Sequence, residues 1–197
     1  MDQSPSQQRN SVRIIAGEYR SRKLEFPSLE GLRPTTDRIR ETLFNWLQDS
    51  IQFEICLDLF AGSGALGFEA LSRGASRVDF LEKNSDAAKS IRTNIERLGT
   101  KQGRVYCDDA LKWLAQARQD DSRYGIVFLD PPFKDAILAT TISALEAAAI
   151  MKDGCLVYVE QNLKSNTVEF PVNWVELKNK KAGSVRYSLH KVSSMQD

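Results

Sequence analysis

A chain of 197 residues, 42% hydrophobic and 27% charged, has the composition of one globular domain that can bury a real core. No apolar run approaches the roughly 18 residues of a membrane span, and residues 1–11 lack the apolar segment of a signal peptide. We therefore expect a cytoplasmic protein that does not bind membranes, and we take it to be a monomer.

The cysteines and the histidine argue against metal or triad chemistry. Cys56, Cys107 and Cys155 are far apart, fit no zinc or redox spacing, and each lies in or beside an apolar stretch. They are predicted to be reduced thiols of the core. His190 is the only histidine, so a histidine-based triad and a histidine-rich metal site are not expected, and we predict no metal.

The net charge of +1 is unevenly distributed. Residues 1–40 carry eight Lys or Arg against five Asp or Glu, a net charge of +3 that leaves −2 on the remainder. This arginine-rich arm predicts phosphate contacts at one end of the molecule, with Arg13, Arg33, Arg38 and Arg40 as candidates for binding RNA. A solvated arm without a partner is the alternative.

The first predicted helix begins where Thr36 or Asp37 can serve as its cap. Its apolar residues recur with helical spacing, at Ile39, Leu43, Trp46 and Leu47. One face is therefore expected to be buried, with Arg38 and Arg40 elsewhere. Either arginine can instead pair with Asp37 or Glu41 on the same helix.

From Ile55 onward, apolar strands alternate with helical patterns. Strands are predicted near residues 55–60, 78–82, 104–107, 126–129 and 155–159, with helices between them. Such alternation builds a parallel sheet covered by helices on both faces, the doubly wound α/β class. Two last strands, near 174–178 and 184–191, meet at a Lys-Ala-Gly turn and predict an antiparallel hairpin at the carboxyl end.

Asp130, Pro131, Pro132 and Phe133, here called the proline turn, directly follow the predicted strand 126–129. Two prolines cannot continue a central strand, so the Asp130 carboxylate and the Pro131 carbonyl become available as acceptors. With Phe133 as a stacking surface, the turn fits a flat ring bearing an NH₂ group, such as a nucleobase. An ordinary strand-ending turn with a core phenylalanine is the alternative.

A glycine-rich turn, Gly62, Ser63 and Gly64, connects the strand near 55–60 to a helix. With Glu82 twenty residues after Gly62, the pattern also fits the dinucleotide fingerprint of an NAD enzyme. Asp58 argues against NAD, because a carboxylate at this loop repels a pyrophosphate and suits a ligand with an ammonium group and a sulfonium. NAD binding also leaves the proline turn unexplained.

The run Asp-Leu-Phe-Ala-Gly-Ser-Gly at 58–64, together with the proline turn, resembles the S-adenosylmethionine-dependent methyltransferases that modify base amines. Residues 32–46 narrow the resemblance to the bacterial RsmD-type enzymes, which methylate a guanine N2 of small-subunit ribosomal RNA. The resemblance implies a mostly parallel, seven-stranded sheet ending in an antiparallel hairpin. It further implies a basic arm, short hairpin and helix in residues 1–50, packed on a methyltransferase domain in residues 51–197.

The resemblance also implies roles for single residues. Asp58 is expected to anchor the methionyl amino group through the glycine loop, Glu82 the ribose, and Asp109 the adenine amine, with the Ala110 amide nearby. Asp108 can take the adenine role instead, in which case Asp109 is only a helix N-cap. The other cofactor contacts expected are Phe60, Gly62, Ser63 and Gly64.

The expected reaction is a direct displacement in which a guanine amine attacks the sulfonium methyl group. Asp130 and the Pro131 carbonyl hold the amine hydrogens, and either Asp130 or water takes the released proton. Thr35 and Thr36 lie at the start of a helix, where they can hold the methionyl carboxylate of the cofactor.

The expected partner is small-subunit ribosomal RNA in an assembled or assembling particle, with the target base unpaired or flipped out. One alternative is an amine methyltransferase that acts on adenine or guanine of another RNA or of DNA. Another is a non-catalytic ribosome-assembly protein that keeps the fold.

Overall fold

The computed structural model describes residues 9–29, 34–117, 123–132, 135–164 and 168–193, without the side chains of residues 9, 135 and 136. The predicted stacking residue Phe133 and the predicted RNA contact Arg33 lie outside these ranges. Within the described ranges, no helix is both long and apolar enough to cross a membrane.

The amino-terminal segment forms a hairpin and a helix. Strands β1 (Arg9–Arg13) and β2 (Lys23–Pro27) pair antiparallel, with buried Val12 opposite buried Leu24. Helix α1 (Asp37–Trp46) follows, with Thr36 as its N-cap as predicted, although the Thr36 side chain makes no capping hydrogen bond.

The remaining strands form one seven-stranded sheet of order β5-β4-β3-β6-β7-β9-β8. They are β3 (Ile55–Asp58), β4 (Arg77–Leu81), β5 (Gly103–Tyr106), β6 (Tyr124–Leu129), β7 (Met151–Asn162), β8 (Trp174–Ala182) and β9 (Val185–Val192). The pairs among β3 to β7 are parallel, and β9 pairs antiparallel with both β7 and β8. The predicted fold class, including the antiparallel carboxyl-terminal hairpin, is confirmed.

Four helices connect the parallel strands and cover both faces of the sheet. They are α2 (Ala65–Ser72), α3 (Ser85–Leu98), α4 (Ala110–Gln116) and α5 (Asp135–Ala148). One apolar core packs the amino-terminal segment, α2 and α3 against alternate strand residues such as Cys56, Phe128 and Tyr158. A second core packs α4 and α5 against residues of the opposite parity, such as Leu57 and Val127. Both sheet faces are therefore buried, as parallel sheets require.

Arg40 corrects the predicted orientation of α1. The sequence placed it away from the buried face, but its side chain is fully buried. Its guanidinium donates to Asp37 at 2.7 Å, to the Arg13 carbonyl at 2.8 Å and to buried Glu69 at 3.4 Å. A buried guanidinium is tolerated because opposite charges and a carbonyl replace its water. The alternative that Arg40 pairs with Asp37 is confirmed.

Helix α2 holds the amino-terminal segment in place. Besides Arg40, the Glu69 carboxylate accepts from the backbone amides of Ile15 at 2.8 Å and Ala16 at 3.1 Å. Gly17 has a φ of +86°, and a Cβ there would lie 1.8 Å from the Ser72 carbonyl oxygen. The segment thus approaches α2 so closely that only glycine fits.

The cysteines follow the prediction in two cases of three. Cys56 and Cys155 are buried free thiols, whereas Cys107 is a free thiol on the surface. Cys107 directly follows β5, which lies at the edge of the sheet, and an edge strand is covered less than a central one. Its expected place in the core is therefore wrong.

Candidate active site

The predicted acidic residues meet at one edge of the sheet. Asp58 ends β3, Glu82 directly follows β4, Asp109 lies just after β5, and Asp130 directly follows β6. Strands β4 and β6 lie on opposite sides of β3, so the chain reverses its direction of winding there. Crevices at such a switch point, at the carboxyl ends of parallel strands, are the usual ligand sites of doubly wound folds.

The glycine loop enters α2 through a left-handed residue. Gly64 is the N-cap of α2 with a φ of +77°, and a Cβ there would lie 2.7 Å from the Phe68 ring. Gly62 has a φ of +54°. A loop without side chains at these two positions lets a ligand approach the backbone and the helix N-terminus closely.

Asp58, the last residue of β3, holds the helix that follows the glycine loop in place. Its Oδ2 accepts from the Gly67 amide at 3.1 Å, which satisfies one of the free amides in the first turn of α2. The pKa of Asp58 is raised to about 7, mainly by burial, with the neighbouring charges of Asp130 and Glu82 adding to the rise and the Gly67 hydrogen bond opposing it. A positively charged ligand beside Asp58 would favour its ionised form.

Glu82 links the glycine loop to the next helix. Its Oε2 accepts from the Gly62 amide at 2.7 Å, and its Oε1 accepts from the Asn84 amide at 2.7 Å. Each carboxylate oxygen has a second lone pair, so two hydroxyl groups of a ribose can still donate to it. Of the other predicted cofactor contacts on this loop, Ser63 is buried and Phe60 is half-buried.

Asp109 is the N-cap of α4, as its alternative reading predicted. Its Oδ1 accepts from the Leu111 amide at 3.1 Å and from the Lys112 amide at 3.3 Å, and its Oδ2 pairs with Lys83 at 3.0 Å. The hydrogen bond from Lys83 is the main cause that lowers the pKa of Asp109. Capping occupies Oδ1 and leaves one lone pair on Oδ2, so an adenine contact stays a prediction.

Asp108 and Ala110 flank this cap. The Asp108 Oδ1 accepts from the Asp109 amide at 2.7 Å, and Ala110 is the buried first residue of α4. First-turn amides have no partner inside their helix, so the Ala110 amide can donate to a ligand. The cofactor roles of both residues stay predictions, and the choice between Asp108 and Asp109 stays open.

Asp130 occupies the start of the proline turn and is bound by a residue that lies 95 positions away. Thr35, which is buried, donates its hydroxyl to Asp130 Oδ2 at 3.1 Å. Burial raises the pKa of Asp130 to about 6 and outweighs the opposing effect of the Thr35 hydrogen bond. Pro131 is buried and Pro132 is exposed.

Glu160 is a site residue that the sequence reading missed. It is 4% exposed and its Oε1 accepts from the Tyr158 hydroxyl at 2.7 Å. Burial and the charge of Asp130 raise the pKa of Glu160 to about 8. A usable signal was present, because Glu160 interrupts the apolar run 155–159 of β7 as Asp130 ends the run of β6.

The predicted RNA contacts divide into two groups. Arg13 and Arg38 are exposed on the amino-terminal segment and remain candidates. The prediction that Arg40 contacts RNA is wrong, because its buried guanidinium is bound to Asp37, Glu69 and a backbone carbonyl and cannot reach a phosphate.

The site is acidic. Asp58, Asp130 and Glu160 belong to adjacent strands, and none of them forms an ion pair with a Lys or Arg in the described part of the chain. No group of three or more His, Cys, Asp or Glu within that part is arranged to hold a metal ion. Uncompensated buried carboxylates favour an organic ligand that brings positive charge with it.

Comparison with known proteins identifies the family. The family model described as Conserved hypothetical protein 95 matches residues 12–191. Ribosomal RNA small subunit methyltransferase D of Escherichia coli (strain K12) is 44% identical over 179 residues, covering 91% of this chain and 89% of that protein. The protein of the same name from Haemophilus influenzae is 45% identical over 184 residues, covering 92% and 94%. The chain belongs to the family described as Conserved hypothetical protein 95, and it is related to these two methyltransferases over most of its length.

A solved structure supports the same conclusion. The Escherichia coli chain yhhF superposes with a TM-score of 0.87 at 40% identity, covering 94% of this chain and all of that one. The RsmD-type family, the α/β fold and the class of S-adenosylmethionine-dependent methyltransferases, all predicted from the sequence, are confirmed. The roles of the single site residues remain predictions.

Proposed function

We propose that this protein transfers a methyl group from S-adenosylmethionine to the N2 amine of a guanine in small-subunit ribosomal RNA. The observation that carries the proposal is the position of Asp130. Its carboxylate lies at the switch point next to the glycine loop, with one oxygen bound by Thr35. The names of the relatives from Escherichia coli and Haemophilus influenzae support ribosomal RNA as the substrate.

The residues present fit S-adenosylmethionine. Gly62 and Gly64 leave the loop backbone before α2 without side chains at two positions, and Asp58 and Glu82 supply negative charge for the ammonium and acceptors for the ribose. When bound, this cofactor supplies a methyl group on a positively charged sulfur. A dinucleotide would place its pyrophosphate against the same carboxylates, which disfavours NAD.

Asp130 and the Pro131 carbonyl act on the base. Each accepts one hydrogen of the N2 amine, which orients the nitrogen lone pair towards the methyl group. The new N–C bond forms as the S–C bond breaks, and the nitrogen then loses one proton, which Asp130 or water accepts. In the described part of the chain only Oδ2 of Asp130 is engaged, so Oδ1 can accept the amine hydrogen.

The exposed arginines of the amino-terminal segment, Arg13 and Arg38, contact RNA phosphates in this proposal. They lie on the same segment as Thr35, so the RNA would be held on the side from which Asp130 is bound. The substrate would be an assembled or assembling ribosomal particle in the cytoplasm, and the enzyme would act as a monomer.

A methyl-transfer assay tests the proposal. The purified protein is incubated with tritiated S-adenosylmethionine and, in separate reactions, undermethylated small ribosomal subunits, naked ribosomal RNA and DNA. We expect label in the subunits or the RNA, and N2-methylguanosine as the labelled nucleoside after digestion. Label on adenine, label in DNA alone, or RNA binding without transfer would each contradict the proposal.

A further inference from the structure

The hairpin of β8 and β9 carries positive charge that the site described above does not use. Residues 178–186 contain three lysines, one arginine and no Asp or Glu, whereas residues 174–177 contain one Glu and no basic residue. Lys178, Lys180 and Lys181 are exposed, and none of them forms an ion pair within the described ranges. Arg186 is half-buried and pairs with Glu176 at 3.4 Å. The three lysines therefore leave their charge available to a partner.

The direction of the hairpin places these lysines at the edge of the sheet where the site carboxylates meet. Strand β7 ends at this edge, and its Asn162 pairs with Val185 at the start of β9. Val185 pairs in turn with Ala182 at the end of β8. The basic end of β8 therefore lies at the site, and its exposed apolar residues, Val175 and Leu177, lie farther from it.

The strand register gives the distance from Asp130 to the lysines. Asp130 and Glu160 directly follow the last registered pair of β6 and β7. Glu160 pairs with Tyr187, and Tyr187 pairs with Lys180. These four residues form one row across four strands, and three steps of about 4.8 Å separate the Cα atoms at its ends by about 14 Å. Roughly four nucleotides, stacked at about 3.4 Å each, cover that distance.

A β-bulge in β8 determines which face of the sheet the lysines occupy. The register against β9 shifts between Glu176 and Lys178, so Leu177 is the extra residue of the bulge. Lys178 lies opposite Leu189, which belongs to the core under the amino-terminal segment, and directly opposite residues share a face. Lys180 points the same way, because side chains alternate with a period of two. Without the extra residue, both lysines would lie on the opposite face.

The two lysines share their face with Asp130 and the amino-terminal segment. Thr35, just before α1, donates to Asp130 at 3.1 Å. Trp46, the last residue of α1, stacks on Tyr187 with the ring centroids 5.5 Å apart. Lys180 pairs with Tyr187 and so lies beside the end of α1. The cations of β8 and those of the amino-terminal segment are therefore on the same side of the sheet.

The position of the lysines along β8 favours a polyanionic partner over simple protection of the strand. Lysines on an exposed edge strand also prevent pairing with other chains. For that purpose they would lie among the exposed apolar residues, Val175 at 55% and Leu177 at 45%. They lie instead at the acidic site, where a phosphate backbone needs nearby positive charge to overcome the repulsion of the carboxylates.

We propose that Lys178 and Lys180 form a second phosphate-binding surface, which holds the RNA backbone beside the target guanine. The occupant is the RNA substrate, which this surface recognises by its phosphates and not by its bases. The inference rests on the proposed function, because it assigns a further contact surface for the same RNA. Neither lysine contacts the cofactor or the reacting amine.

Filter binding of naked ribosomal RNA at several salt concentrations tests this surface. The variant that combines Lys178→Gln with Lys180→Gln should bind more weakly, and its log-log salt slope should be smaller by roughly two units, one per lost phosphate contact. Lys101→Gln combined with Arg123→Gln is the charge-matched control. Both control residues are exposed and precede β5 and β6, at the opposite edge of the sheet. This control should keep the wild-type affinity and slope.

Two neighbouring lysines provide a control for the face of the sheet. Lys180 and Lys181 are both exposed but lie on opposite faces of β8. Lys180→Gln should reduce the slope by roughly one unit, whereas Lys181→Gln should leave it unchanged. Lys180→Arg keeps the charge and should keep the slope.

Three further measurements separate loss of RNA contacts from other effects of the double lysine variant. In methyl-transfer assays its KM for RNA should rise, while calorimetry should show unchanged affinity for S-adenosylmethionine. The melting temperature should hardly change, because both side chains are exposed. Gel filtration should show no self-association.

Three results would overturn the inference. Unchanged RNA affinity and slope in the double lysine variant, with or without self-association, would show that the lysines only solvate or protect the strand. An equal loss in Lys181→Gln would show attraction by the overall charge of the hairpin and not contacts on this face. Weaker binding to small ribosomal subunits but not to naked RNA would show contact with a ribosomal protein. Absence of methyl transfer by the wild type would instead contradict the proposed function, so the two failures can be told apart.

Discussion

The two halves of the site hold their carboxylates in different ways. In the cofactor half, at the ends of β3, β4 and β5, the acids accept from backbone amides: Asp58 from Gly67 and Glu82 from Gly62 and Asn84. In the substrate half, at the ends of β6 and β7, they accept from side-chain hydroxyls, with Thr35 bound to Asp130 and Tyr158 to Glu160.

The difference concerns where along the chain the partners come from. The bond from Gly67 to Asp58 spans 9 residues and the bond from Gly62 to Glu82 spans 20, within successive strand and helix units. The bond from Thr35 to Asp130 spans 95 residues and exists only when the segment before α1 is packed on the sheet. The cofactor half is thus formed by local folding, and the substrate half depends on tertiary docking of the amino-terminal segment.

The largest effect is expected from Gly64→Val, which should abolish binding of S-adenosylmethionine. A valine there must adopt a φ near +77°, and its Cβ would collide with the Phe68 ring at 2.7 Å. Isothermal titration calorimetry measures the binding. Gly99→Val is the matched control, since Gly99 has a φ of +71° but nothing within 4 Å of its Cβ position. If Gly64→Val binds S-adenosylmethionine as tightly as Gly99→Val does, the glycine loop does not form the cofactor site.

The difference between local and distant hydrogen-bond partners also explains how far the sequence predicts each half of the site. The glycine loop and the first three residues of the proline turn are local motifs, and both follow the parallel strands after which the sequence placed them. Glu160 ends an apolar run in the sequence, but only the register of β7 against β6 shows that it lies beside Asp130, and so it was missed.

The predicted orientation of α1 was wrong for a related reason. The predicted apolar stripe of α1 left out Phe44, which is fully buried. At 100° per residue, including Phe44 would have widened the apolar face past Arg40, which lies between Leu47 and Phe44 around the helix. Even so, the buried partner that makes an arginine acceptable there, Glu69, lies 29 residues away and is known only from the fold.

The next largest effect is expected from Asp130→Ala, which breaks only the substrate half. We expect kcat to fall by at least about a hundredfold, the scale for losing one positioned polar group in a catalytic site. The affinity for S-adenosylmethionine should stay within a few-fold of the wild type. Single-turnover methyl transfer and calorimetry measure the two quantities. Full turnover in this variant would show that Asp130 only forms the turn and takes no part in catalysis.

The pH dependence of kcat/KM should also report on the substrate half. Asp130 must be ionised to accept the amine hydrogen, and its pKa is raised to about 6. Activity should therefore fall as the pH decreases below about 6, approaching tenfold per pH unit. Because the Thr35 hydrogen bond lowers the pKa of Asp130, Thr35→Val should move this fall to higher pH. An unchanged midpoint in Thr35→Val would contradict the assignment of the acid limb to Asp130.

The smallest effect is expected from the exposed arginines, and it should likewise leave the cofactor half unchanged. Arg13→Gln combined with Arg38→Gln should weaken RNA binding and reduce the log-log salt slope by roughly one unit per lost phosphate contact. Filter binding at several salt concentrations measures the slope, and calorimetry should show unchanged affinity for S-adenosylmethionine. Both side chains are exposed, so the melting temperature should hardly change.

Arg40→Gln is the contrasting variant for this prediction. Its guanidinium is buried against Glu69, so its loss should lower the melting temperature by leaving that carboxylate without one of its partners. Where the variant stays folded, its salt slope should match the wild type, because Arg40 does not reach the surface. If the variant that combines Arg13→Gln with Arg38→Gln has an unchanged RNA affinity and an unchanged salt slope, the arm is a solvated surface. The amino-terminal segment would then serve the substrate half only through Thr35, and RNA would have to be captured elsewhere on the molecule.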